Sequence, residues 1–322
     1  MELKNLSFNM TISEELKKGV ELVPKTNLIL SEFLAVIAGK KPVLTMGFHN
    51  KSEKELIKSN FPNLTLFCSK IVLGGKQQKV CAISRNKSLA KQTVEYFCNR
   101  KHHLTGLLLG YPECCIKKHL YFFYRKLQLN SPLVTYQSYG NAKGCNFLTN
   151  NLFNFSTRLE QKKEDFELLN KYYHSNEKEF PIPLWNLQFI SHIPCSYDCK
   201  ESIKIGREID SLLKEYAPDT EKIIKRTLSK PILFFDLFKL VVFDGYLKNG
   251  ILHYKRIIPP LFFLDDLLRK KIKKGNKIIV TNNKVEIFKD NSNLFTYQKK
   301  NEADGFILDF SEDKTKTNHG KS

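Results

Sequence analysis

The sequence predicts an α+β protein: a small N-terminal α/β layer, a helical middle bearing a cysteine/histidine site, and a β-hairpin-rich C-terminal region. Three observations predict it. Apolar residues recur at helical spacing in the N-terminal stretches and again at Ile116, Leu120, Phe123 and Leu127. Turn signals at Gly74-Gly75, Lys248-Asn249-Gly250 and Asn282-Asn283 each separate runs of strand formers. After Leu228 the helical pattern gives way to short β-type runs. The regions that follow are 1–110, 111–230 and 231–311, with a polar, charged tail at 312–322 that is expected to be disordered. No internal repeat is visible.

In order, Ser13 to Lys17 reads as the start of a capped helix, and Asn27 to Ala38 as a second helix ended by Gly39-Lys40-Lys41-Pro42. Val43 to Phe48 reads as a strand, Ser52 to Ile57 as a helix start, and Leu64 to Leu73 and Lys79 to Ser84 as two strands joined through Gly74-Gly75. Gly74-Gly75-Lys76 lacks phosphate-loop spacing and leads into a strand, which excludes a nucleotide loop. Ser84-Arg85-Asn86-Lys87 precedes a helix over Ser88 to Asn99 and reads as a connection rather than an anion site.

The middle carries two related stretches. In Gly110-Tyr111-Pro112-Glu113-Cys114-Cys115-Ile116-Lys117-Lys118-His119, the glycine ends an apolar run, and Pro112 and Glu113 suit a first helical turn. In His192-Ile193-Pro194-Cys195-Ser196-Tyr197-Asp198-Cys199, a short strand over Leu187 to Ile190 runs into the motif. Ser196 or Asp198 can then cap a helix continuing through Ile203, Ile209 and Leu212. Thiols at a helix N-terminus ionise more readily, and the thiolate is the form that ligates metal.

The two stretches are therefore expected to meet around one metal centre, with Cys114, Cys115, Cys195, Cys199, His192 and His119 as candidate ligands. Adjacent helical residues diverge by about 100°, which favours one of Cys114 and Cys115 over both. Thiolate donors suit zinc and iron–sulfur clusters alike, so the cofactor stays open between them. A thiol–disulfide centre is a third option, and four thiols buried only as small hydrophobes is the plain alternative. The run Cys195-x3-Cys199-x2-Ser202 resembles the start of a radical-SAM cluster loop, but Ser202 stands where that loop has its third cysteine, and the family is rejected. The motif pair Gly-Tyr-Pro-Glu-Cys-Cys and His-x-Pro-Cys-Ser-x-x-Cys resembles an uncharacterised group of archaeal and bacterial proteins catalogued as a domain of unknown function. That resemblance covers residues near 105–210 and supports these positions as a site without bringing an activity.

Around the motifs, His102-His103 read as a surface pair, and Tyr121-Phe122-Phe123-Tyr124 as core rather than a base-stacking platform. Residues 130–157 read as a long loop, 160–174 as a helix with a charged face, and Trp185 as apolar packing near the site or elsewhere. Glu113 and Asp198 fit helix starts better than acid–base roles. A helix follows Pro218, and Pro259-Pro260 breaks the chain before a helix closed by Arg269 to Lys274. Lys277 to Val280 with Val285 to Phe288 forms a hairpin, and Phe306 to Phe310 a last strand.

At 322 residues and 42% hydrophobic the chain can bury a substantial core, and no apolar run reaches the ~20 residues that span a bilayer. The first residues lack the apolar core of a signal peptide, which predicts a cytoplasmic protein without a membrane partner. Eight cysteines in that setting argue against a disulfide framework. Cys68, Cys81 and Cys98 read as buried thiols, and Cys145 as a reserve ligand. The charge of +19 permits nucleic acid, but it is mostly lysine and is read as compositional. Two functions stand: an enzyme acting on a small-molecule or macromolecular substrate through a cysteine-ligated centre, and a non-catalytic structural-zinc module binding nucleic acid through its basic C-terminal region.

Overall fold

The computed structural model describes residues 10–23, 26, 28–46, 51–73, 76–129, 131–154, 182–258 and 266–311. Among these the chain forms ten α-helices and two antiparallel sheets, an α+β architecture. It divides into two compact units, Met1–Gly110 with Leu212–Pro218, and Tyr111–Ser211 with Asp219–Ser322. The helical middle and the C-terminal sheet therefore share one unit. No helix among the described residues is long and apolar enough to cross a membrane.

In the first unit, α1 (Ile12–Leu22) starts one residue earlier than Ser13, capped by Thr11. Thr11 and Glu14 form a reciprocal capping box, with the Glu14 N–H donating to Thr11 Oγ1 at 3.3 Å and the Thr11 N–H to the Glu14 carboxylate at 2.7 Å. Every residue of α2 (Leu30–Ile37) is buried, as its apolar run requires, and Phe33 meets Phe61 edge to face. Next come β1 (Leu44–Met46), α3 (Lys51–Asn60), β2 (Thr65–Leu73), β3 (Lys76–Ser84), α4 (Lys87–Cys98) and α5 (His102–Leu108). The β/α alternation yields an antiparallel sheet of order β1-β3-β2. Leu73 pairs with Lys76, so β2 and β3 form the expected hairpin; its glycines lie outside the described residues. Arg85 is held by structure: its guanidinium pairs with the Glu15 carboxylate and its Nε donates to the Ile37 carbonyl at 2.6 Å, while Asn86 caps α4.

Cys68 and Cys81 depart from the expectation of separate thiols. They are direct cross-strand partners in β2 and β3, a register that brings their Cβ atoms together, and they are joined by a disulfide. Titration of the denatured, metal-free protein is expected to find six thiols without reductant and eight after reduction. Eight in the untreated chain would contradict the bond.

The second unit opens with α6 (Glu113–Tyr124) and α7 (Pro132–Gly140), followed by single 3-10 turns at Phe147–Thr149 and Leu184–Asn186. The expected helix over 160–174 lies outside the described residues. Then come α8 (Lys200–Tyr216), of which 212–216 count with the first unit, α9 (Pro218–Leu228), β4 (Pro231–Asp236), β5 (Lys239–Lys248), β6 (Ile251–Ile258), α10 (Asp266–Lys274), β7 (Lys277–Val280), β8 (Lys284–Lys289), β9 (Ser292–Gln298) and β10 (Phe306–Asp309). The strands form one sheet of order β10-β4-β5-β6-β7-β8-β9. Asn249 and Gly250 both take positive φ, the geometry of a two-residue hairpin turn. Leu268 and Ile272 of α10 pack on Leu233, Phe243, Leu252 and Ile287 of the sheet. No strand was expected at β9, whose polar composition belongs to an edge strand with most residues exposed. The tail beyond 311 lies outside the described residues.

Candidate metal centre

Residues 187–199 form a buried irregular segment, where a short strand over Leu187 to Ile190 was expected. The Leu187 and Gln188 N–H groups turn back to the Leu184 and Asn186 carbonyls, which ends any strand there. The segment that follows is held by side chains of the 130–157 stretch, expected as a loop but forming α7 and the 147–149 turn, and these take up its backbone carbonyls. Asn154 Nδ2 donates to the Ser191 carbonyl at 2.8 Å, Asn151 Nδ2 to the His192 carbonyl at 2.5 Å and Ser138 Oγ to the Pro194 carbonyl at 3.0 Å. Thr149 Oγ1 donates to the Tyr197 carbonyl at 2.7 Å. Tyr197 itself is fully buried, edge-on to Phe310.

The turn between the second pair of cysteines is braced from both sides. Ser196 Oγ donates to Asp198 at 2.6 Å, and Asp198 accepts the Lys143 N–H at 2.9 Å, so this carboxylate holds the loop. Cys199 directly precedes α8, its carbonyl accepting the Ile203 N–H at 2.9 Å. At Gly206 a Cβ would stand 2.8 Å from Leu148 Cβ and 3.0 Å from the Leu148 carbonyl, so only glycine lets α8 lie this close to the 147–149 turn.

The first pair rides on the start of α6, which Pro112 leads in and where Glu113 pairs with Lys117 at 2.9 Å. Behind the cysteines, Phe122 of α6, Val134 of α7 and Ile193 of the second motif form one buried cluster. That cluster fixes the two motifs against each other.

Cys114, Cys115, Cys195 and Cys199 converge, their sulfurs all within 4.8 Å of one another. Cys114 lies 3.9 Å from Cys115 and 3.7 Å from Cys199, and Cys115 lies 3.8 Å from Cys199. Both members of the doublet take part, contrary to the expected divergence. Side chains in a first helical turn lean back toward the helix N-terminus, and there Cys114 and Cys115 reach the same point. Cys115 and Cys199 are buried, Cys195 is half-buried and Cys114 is exposed.

The surroundings suit sulfur anions. The Cys195 N–H donates to Cys115 Sγ at 3.3 Å, and Ser202 Oγ lies 3.3 Å from the same sulfur and 2.8 Å from His192 Nε2. With Nε2 carrying the proton, imidazole donates to hydroxyl and hydroxyl to sulfur. Without a cation the four groups cannot all ionise at this separation. The neighbouring Cys115 and Cys195 sulfurs hold the Cys199 thiol well below its usual range. The Cys195 and Cys199 sulfurs, with burial, push Cys115 far up. At Cys195 the downward pull of Cys115 is outweighed by Cys199 and burial, which push it up to about 12.

Neither histidine expected as a ligand joins the four sulfurs. Buried His192 stands one hydroxyl away, its ring 5.1 Å from that of Tyr111, and His119 lies half-buried further along α6. Cys145 also stays apart, its thiol pushed up to about 12 by burial first and then by Asp309 and Asp198. His102 and His103 belong to α5 in the other unit. Ser202 was passed over as a missing third cysteine. The signal was present, since it stands three residues after Cys199, on the same helical face. No family model, curated protein or solved structure matches this chain.

Proposed function

We propose that this chain is a zinc protein in which Cys114, Cys115, Cys195 and Cys199 close around one ion. The sulfur separations carry the reading. Four Zn–S bonds of about 2.3 Å in a tetrahedron give sulfur–sulfur edges of about 3.8 Å; Cys114, Cys115 and Cys199 are separated by 3.7, 3.8 and 3.9 Å, and Cys195 lies within 4.8 Å of all three. An iron–sulfur cluster distributes its cysteines over several irons and spreads their sulfurs around the inorganic core. A set confined within 4.8 Å fits a single ion better. Four thiolates saturate a tetrahedral site, the pattern of structural zinc. The ion ties the start of α6 to the turn before α8. The same residues carry the resemblance to the uncharacterised archaeal and bacterial group, whose shared motif is on this reading a metal-binding one.

An enzymatic reading has one observation in its favour, the exposure of Cys114. A solvent-facing thiolate can be displaced, which opens a coordination position for a substrate. Metal analysis of anaerobically purified protein tests the assignment: one zinc per chain and no visible absorption are expected, while a brown protein containing several irons and acid-labile sulfide would overturn it. Ser202→Ala is expected to weaken zinc binding about 10- to 100-fold, as loss of an outer hydrogen bond to a ligand does, and Ser202→Thr to restore it. Competition with a chelator measures both.

A further inference from the structure

The aromatic run on α6 does not behave as core. Phe122 alone is buried, whereas Tyr121, Phe123 and Tyr124 are 38%, 47% and 75% exposed. Tyr121 and Tyr124, three residues apart, set two exposed rings side by side on one turn of the helix. The charge around them has one sign. Lys118 Nζ lies 4.9 Å from the centre of the Tyr121 ring and Arg125 Cζ 4.6 Å from it, and exposed Lys126 follows. Among the described residues no carboxylate pairs with Lys118, Arg125 or Lys126. The sequence deepens the asymmetry, since between Glu113 and Glu160 it contains no aspartate or glutamate at all. Glu113 sits at the far end of α6 and is engaged by Lys117.

We infer that this face of α6 binds single-stranded nucleic acid, with Tyr121 and Tyr124 stacking on unpaired bases and Lys118, Arg125 and Lys126 contacting phosphates. Flat rings interleaved with cations match a polyanion that presents π-faces, and duplex bases are not available for such stacking. The chain's +19 charge, read from sequence as compositional, thereby has a specific outlet away from the basic C-terminal region.

Fluorescence anisotropy with the full, metal-replete chain tests this, using labelled 12-nucleotide oligo-U and oligo-dT, a duplex of the same length, and vesicles of anionic phospholipid. Both single strands are expected to bind, RNA and DNA differing only modestly, and the duplex more weakly. Three phosphate contacts predict that raising salt from about 50 to 200 mM weakens binding about 20-fold. Tyr124→Ala is expected to weaken single-strand binding about 5- to 100-fold with metal content unchanged, and Tyr124→Trp to restore it. Arg125→Ala is expected to lower the salt slope by about 0.7. Equal binding of duplex and single strands with no effect of Tyr124→Ala would overturn the inference. So would binding to vesicles but not oligonucleotides, or no binding at low salt.

Discussion

Cys199→Ala is expected to abolish stoichiometric metal binding and to unfold the region around the two motifs. Cys199 stands within 3.8 Å of both sulfurs of the Cys114-Cys115 doublet and at the entry to α8, so its loss opens the tetrahedron and frees the helix start together. Thiolate zinc sites contribute on the order of 10 kcal/mol of apparent binding energy to the fold they hold, and a loss of several kcal/mol is the scale to expect here. Thermal unfolding with and without chelator measures it. The wild-type transition should fall sharply when metal is stripped, and the variant should already sit at the lower temperature. Cys98→Ala, outside the site, should behave as wild type. The pH dependence has a fixed sign. Cys195, pushed up to about 12, and Cys115, pushed up by its neighbouring sulfurs and burial, hold their protons at neutral pH, so a metal must displace at least these two. Lowering the pH then weakens apparent affinity by about 100-fold per unit, the linkage for two released protons.

Phe122→Ala is expected to destabilise the protein by about 3–5 kcal/mol. The ring is fully buried between Val134 and Ile193, so truncation leaves a cavity in the cluster that sets one motif against the other. Metal affinity should fall along with stability. Two residues on, Tyr124→Ala should change stability by no more than about 0.5 kcal/mol, because an exposed side chain leaves no cavity. Denaturant unfolding of the two variants distinguishes a residue that packs from one that faces outward.

Much of this was legible in the sequence because it rests on local chemistry. Gly110-Tyr111-Pro112 announces the start of α6, Asn249-Gly250 the β5–β6 turn, and Asn282-Asn283 the β7–β8 connection, each through backbone preferences that need no tertiary context. The pairing of Cys114-Cys115 with Cys195 and Cys199 was legible from two helix starts bearing thiols. What sequence could not supply was set by distant partners. The strand expected at Leu187 to Ile190 is irregular: its first N–H groups turn back to the Leu184 and Asn186 carbonyls, and Asn151, Asn154 and Ser138 hold the backbone of the segment it leads into. Cys68 and Cys81 look like ordinary buried thiols until the β2–β3 register makes them neighbours. Helical periodicity placed Phe123 on the buried face, and the fold turns Phe122 inward in its place, which exposes the rings on either side. His192 was expected at the metal, and the intervening hydroxyl of Ser202 moves it one layer out.

X-ray absorption at the metal edge of the purified protein tests the central claim most directly. One shell of four sulfurs at about 2.3 Å, with no metal neighbour beyond it, is the predicted result. A metal–metal distance, or a shell containing nitrogen or oxygen in place of any of the four sulfurs, would contradict it.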